Sequence, residues 1–266
     1  MERTGRQSNG NISCRRGPPF TTTLEVTRMP ADITVVSNPC ELFSALRTID
    51  ISVPLRTEGR KTEHTETWTA CRLLATLAKA ERLPFPLSVE RRDRPDCLIN
   101  TASGQIGVEI TEAISPQYAA YCALAEREFP DVFLQPGHFR WGAAQLSVDE
   151  MRELLRQSQK ITSEPWVGDR PEQEWALFIQ SVVDTKLEKL SRPGFALFDE
   201  NWLAIYDNLP LPHVHLGKAI TYLRPLLQDR WSRTPGFNAI LIEHGPVIAH
   251  VTSNGSDHLV LHDIWE

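Results

Sequence analysis

The chain has 266 residues, 41% of them apolar and 23% charged, with 28 basic against 34 acidic side chains and a formal net charge of −6. This length and balance exclude collagen, coiled-coil and wholly disordered classes and can supply a sizeable core without disulfide or metal staples. No run approaches the ~18 consecutive apolar residues of a membrane-spanning helix, and no apolar signal region opens the chain. The five cysteines (Cys14, Cys40, Cys71, Cys97, Cys122) are odd in number, widely spaced and form no CxxC pair. A zinc ribbon and a disulfide framework are therefore not expected, and a reducing, cytoplasmic setting is. With a net negative charge, any nucleic-acid binding has to use local basic patches.

In chain order, residues 1–28 carry Arg3, Arg6, Arg15, Arg16 and Arg28 against only Glu2 and Glu25 and show no apolar periodicity. They are read as a flexible leader. Residues 29–60 are expected to pack on the core, with a short apolar stretch (Ile33, Val35, Val36) and a helical one around Glu41–Arg47. One α/β domain should occupy 61–266. Its first helix, Thr65 to Arg82, repeats Ala70, Leu73, Leu74 and Leu77 on one face, and Pro84 and Pro86 end it. Two strands follow, Asp96–Asn100 and Gln105–Glu112, joined through Thr-Ala-Ser-Gly as a hairpin. Ser115-Pro116 starts a helix with Pro at its first position. Ser147-Val-Asp-Glu is a capping box for the next. Pro171 opens a helix whose Trp175, Ile179, Val182, Val183, Leu187 and Leu190 face inward. Strands are expected at Phe195–Phe198 and Trp202–Tyr206, then a helix over Leu216–Trp231 interrupted by Pro225. The last strands are Ala239–Glu243, Val247–Thr252 and Leu259–Leu261. The mixed order predicts a central mixed sheet flanked by helices.

The segment from Arg94 to Glu112 carries the chemistry. Asp96 opens the first hairpin strand. In the second, Ile106, Val108 and Ile110 share one face, while Glu109 and Thr111 share the other. Pairing of the strands brings Asp96 and Glu109 together as ligands for a hard divalent cation, to which the Ile110 carbonyl can add an oxygen. Glu66, early in the preceding helix, is a further acid; it also suits the helix dipole as a solvated charge. Arg91, Arg92 and Arg94 stand beside Asp96, where a phosphate backbone would pass. The same strand also reads as an ordinary half-buried one, apolar inside and polar outside. His213-Val-His215 lacks a third ligand at metal spacing and reads as loop; Glu243-His244 and His250 read as surface or satisfied core positions. Cys71 and Cys97 lie in apolar contexts and read as core.

Pro95-Asp96, then Glu109-Ile110-Thr111 on the next strand, with Glu66 on the preceding helix, resembles the PD-(D/E)xK nuclease superfamily, the restriction-endonuclease-like fold. The resemblance spans about Glu63 to Glu112. It implies a Mg²⁺- (or Mn²⁺-) dependent endonuclease hydrolysing DNA phosphodiester bonds, with Asp96, Glu109, Ile110 and Glu66 around the metal. It departs from the motif at Thr111, which stands where the family has Lys. Thr can orient a water but brings no positive charge. Some members place the Lys elsewhere, and Lys186 or Lys189 on the helix after Pro171 are candidates; Lys186 also reads as a lysine snorkelling beside the core stripe. Asp96, Glu109, Thr111 and Lys186 are the expected catalytic set. The expected partner is nucleic acid, DNA first, with no membrane, and a homodimer is a candidate assembly. A nuclease-like domain that has lost activity and binds nucleic acid or a protein is the alternative.

Overall fold

The computed structural model describes residues 32–265; the leader expected over 1–28 lies outside them. One eight-stranded mixed sheet runs through the molecule with its strands side by side in chain order: β1 (Asp32–Val36), β2 (Leu87–Arg91), β3 (Cys97–Thr101), β4 (Gly104–Ala113), β5 (Glu200–Asp207), β6 (Ala239–His244), β7 (Val247–Thr252) and β8 (Gly255–Val260). Strands β1 to β4 are antiparallel, β4, β5 and β6 are parallel, and β6 to β8 are antiparallel again. The parallel pairs need long crossovers. The first holds α3 (Pro116–Glu128), α4 (Val148–Arg156) and α5 (Arg170–Leu190); the second holds α6 (Leu216–Leu227). Between β1 and β2 come α1 (Pro39–Leu46) and α2 (Thr62–Lys79). This is the α/β architecture expected from the sequence, a mixed central sheet flanked by helices. Among the described residues no helix is long and apolar enough to cross a membrane.

Each face of the sheet has its own core. On one, α1 and α2 cover Val89, Ile99, Ile106, Val108, Ile110, Ala204 and Leu241. On the other, α5 and α6 cover Leu203, Ile205, Ile240, Ile242, Ala249 and Val251. Full burial of each Leu or Ile side chain contributes about 1.5–3 kcal/mol. A third, smaller core joins α3 and α4 through Tyr121, Phe139, Met151 and Leu155.

Local signals are realised where they were strongest. Pro116 starts α3, and Ser147 caps α4 by accepting from the Glu150 N–H while Glu150 reaches back to the Ser147 N–H. Thr101 pairs with Gly104 across a two-residue turn; Gly104 has φ +144°, a conformation that favours glycine, and a Cβ there would stand 2.8 Å from Asp199 Oδ2. Four expectations are corrected. Leu87–Arg91 is a strand that the sequence reading passed over. Phe195–Phe198 is not a strand: Phe198 packs over Gly107, where a Cβ would stand 2.6 Å from its ring. Helix α2 begins at Thr62, ends at Lys79, and is buried almost all round, because it lies between the sheet and both α1 and the C-terminal segment. The last strand is Gly255–Val260 rather than 259–261.

Candidate active site

Strand β4 sits in the middle of the sheet with helices over both faces, so even its polar side is enclosed. Gly107 and Glu109 are as buried as Ile106, Val108 and Ile110, and Glu109 is 7% exposed. The half-buried-strand reading of this segment therefore fails. Cys97 pairs with Val108, so Asp96, one residue before β3, falls opposite Glu109. The Asp96 carboxylate does not swing free: its Oδ2 accepts the Ile110 N–H at 2.6 Å.

The helix α5 brings the cation. Lys186 lies one turn from Val183 and Leu190 on the buried face. Its Nζ donates to Glu109 Oε1 at 2.6 Å and to the Ile110 carbonyl oxygen at 2.9 Å. Both side chains of the pair are about 10% exposed. The lysine points inward to a specific pair of oxygens, so the snorkelling reading is wrong. A buried pair of this kind is held by geometry as much as by charge, since desolvation of both ions opposes it.

These residues line one cleft of about 530 Å³. Its floor is Asp96, Glu109, Ile110 and Lys186, with Thr111 and Glu66 beside them. Burial pushes the Asp96 carboxyl up to about 7, and the neighbouring Glu109 carboxylate adds to the rise. Burial also raises the Glu66 carboxyl, against the pull of Arg91 and Lys186. The cleft walls are basic. Arg56, Arg60, Lys61, Arg94, Lys186, Lys189 and Arg192 face it, against Glu66, Asp93, Asp96, Glu109 and Glu112. A chain of net charge −6 thus concentrates positive charge here. Of the three arginines before Asp96, only Arg94 lines the cleft; Arg91 approaches Glu63 at 3.8 Å, and Arg92 lies near Glu90 and over the Phe198 ring.

Sequence reasoning missed one wall. Glu112 Oε1 accepts from Arg56 Nη2 (3.3 Å), Arg60 Nη2 (3.1 Å) and Asn208 Nδ2 (2.7 Å), which fixes two guanidiniums at the cleft edge. In the sequence, Arg56–Lys61 is a charged, Gly-containing stretch that matches no motif. The other polar motifs are accounted for elsewhere: His215 caps α6 by accepting from the Lys218 N–H, and Cys71 and Cys97 are buried thiols pushed up to about 12.

For a divalent cation the site offers only hard oxygen donors: the Asp96 and Glu109 carboxylates and the Ile110 carbonyl, with Glu66 at the edge. Among the described residues no three His, Cys, Asp or Glu side chains are placed to hold a metal ion together, so Glu66 does not join Asp96 and Glu109 as a third acid ligand. An open set with one or two carboxylates suits Mg²⁺, which keeps several waters, better than Zn²⁺ or Ca²⁺. Comparison of the chain with protein-family models, with curated proteins and with solved structures gave no match.

Proposed function

We propose that this protein is a metal-dependent nuclease of the restriction-endonuclease-like class, cutting DNA phosphodiester bonds in the Asp96–Glu109–Lys186 cleft. The observation that carries the reading is the Lys186 contact with Glu109 and Ile110. The sequence lacks the motif lysine at Thr111, and a lysine from another element supplies an ammonium at the same carboxylate. The mixed sheet and the basic cleft walls support it as well.

Asp96, Glu109 and the Ile110 carbonyl would hold Mg²⁺ or Mn²⁺. The ion supplies Lewis acidity toward the scissile phosphate and eases deprotonation of the attacking water. The chain's own groups do the rest. The Ile110 N–H fixes Asp96 in one orientation. Lys186 places positive charge where the pentavalent phosphate gains negative charge, which Thr111 cannot do. The Thr111 hydroxyl stands on the Glu109 face of β4, able to orient a water. Lys189, Arg192, Arg56 and Arg60, which line the same cleft, neutralise phosphates flanking the scissile one.

The test is direct. Purified protein should nick or cut plasmid DNA with Mg²⁺ or Mn²⁺, EDTA should stop it, and Asp96→Ala or Glu109→Ala should abolish it. If wild type shows no metal-dependent cleavage of single- or double-stranded DNA or RNA, the enzyme reading falls and a nucleic-acid- or protein-binding role replaces it.

A further inference from the structure

We propose that the Lys186 ammonium is the resting occupant of the cation seat, held on the two oxygens that a divalent ion would take, and that ion loading drives it off them. The inference rests on the nuclease reading and adds a resting state to it. Glu109 Oε1 and the Ile110 carbonyl oxygen are adjacent acceptors on β4, and one ammonium serves both at 2.6 and 2.9 Å. An ammonium has three donors and no acceptor, so it satisfies the same lone pairs with the same sign of charge as a metal ion. The two cations cannot share those oxygens without strong repulsion at contact distance in a buried site. The lysine can leave because its four-carbon stem is flexible while its backbone stays anchored between Val183 and Leu190 in the core.

The destination is also built in. Glu66 and Asp96 both lie within the electrostatic reach of Lys186 and line the same cleft. A displaced ammonium therefore remains among carboxylates of the same cleft. Until an ion is loaded, Lys186 is tied to Glu109 and Ile110; loading and release of the lysine are one event.

Two measurements on the full chain test this. Calorimetric titration with Mn²⁺ and with Mg²⁺ compares wild type, Lys186→Met and Lys189→Met. Lys186→Met should bind about tenfold tighter or more, equivalent to about 1.4 kcal/mol of displaced pairing, while Lys189→Met, which alters a cleft lysine with no bond to Glu109, should stay within about twofold, a small fraction of that energy. On wild type, acetylation of Lys186 followed by mass spectrometry should speed up when Mn²⁺ is added. Equal or weaker binding by Lys186→Met, or an unchanged or slower acetylation rate on loading, overturns the proposal; if Lys186→Met does not fold, the wild-type labelling decides alone. Wild type that cuts DNA while Lys186→Met binds no tighter sinks the resting state and leaves the nuclease reading standing. Competition between ion and lysine without any cleavage does the reverse.

Discussion

Two buried acid–base clusters stand on β4 and β6, central strands separated by β5, and they differ in what closes them off. On the α5 face, Glu109 of β4 holds Lys186. On the α2 face, Glu243 of β6 holds Arg72, whose Nε donates to Glu243 Oε1 at 3.1 Å and whose Nη1 meets Asp263 of the C-terminal segment. Both acids are almost equally buried, 7% and 5% exposed. The second cluster is sealed: Trp68 stacks its ring under Arg72, and the C-terminal segment closes the outside. Two carboxylates there share one guanidinium, and Trp68 lies beside the Glu243 carboxyl. The first cluster instead faces a cleft with surplus cations on its walls. Burial and a strong partner do not distinguish a site from a structural pair. Access, and charge left over for a ligand, do.

The contrast is broken most severely by removing the acids of the open cluster. Asp96→Ala and Glu109→Ala should take DNA cleavage to background, and Lys186→Ala should cost about 10²-fold or more, comparable to losing one preorganised transition-state donor. Next in size is Arg72→Met in the sealed cluster. It strands Glu243 and Asp263, a loss of about 3–5 kcal/mol, and should lower the melting temperature by roughly 10 °C. Lys186→Met should cost clearly less stability, because solution cations can reach Glu109 through the cleft. Equal losses in the two variants would remove the distinction between the clusters.

A smaller effect comes from pH. Burial outweighs Arg72 and pushes the Glu243 carboxyl up to about 7, from an ordinary value of 4.5. Between those values the folded protein keeps a proton that the unfolded chain has released, so this group favours folding at low pH and the advantage is lost as pH rises toward about 7. Glu243→Gln should flatten the fall of melting temperature between about pH 5 and pH 8, because it removes that linked proton. An unchanged slope would place the proton elsewhere. The smallest expected effect is Thr111→Lys. With Lys186 already supplying an ammonium to the cleft, a second lysine should change the cleavage rate little; a large gain would mean that Lys186 does not serve the reaction.

The legible parts of the molecule were those set by neighbours in sequence. The β3–β4 hairpin follows from its short turn, the inward row of Ile106, Val108 and Ile110 from strand alternation, and the α4 start from its capping box. Lys186 was half legible: its spacing from Val183 and Leu190 places it on the buried face of α5, but spacing cannot name a partner 77 residues away. Glu243 with Arg72, 171 residues apart, and Glu112 with Arg56 and Arg60 depend wholly on the order of strands in the sheet. Strand β2 escaped notice because its five residues follow two prolines and carry only two buried apolar side chains, Leu87 and Val89. Phe195–Phe198 misled for the opposite reason: Phe198 covers Gly107 and Phe195 packs on the α5–α6 core, and neither joins the sheet.

The central claim is that the open cluster does chemistry and the sealed one holds the fold. Metal-dependent plasmid cleavage per folded molecule, measured side by side for Glu109→Gln and Glu243→Gln, tests it most directly. Glu109→Gln should fold normally and lose cleavage, whereas Glu243→Gln should keep the wild-type rate and change only the stability. Retained cleavage in Glu109→Gln, or equal loss in both variants at full folding, would contradict the account.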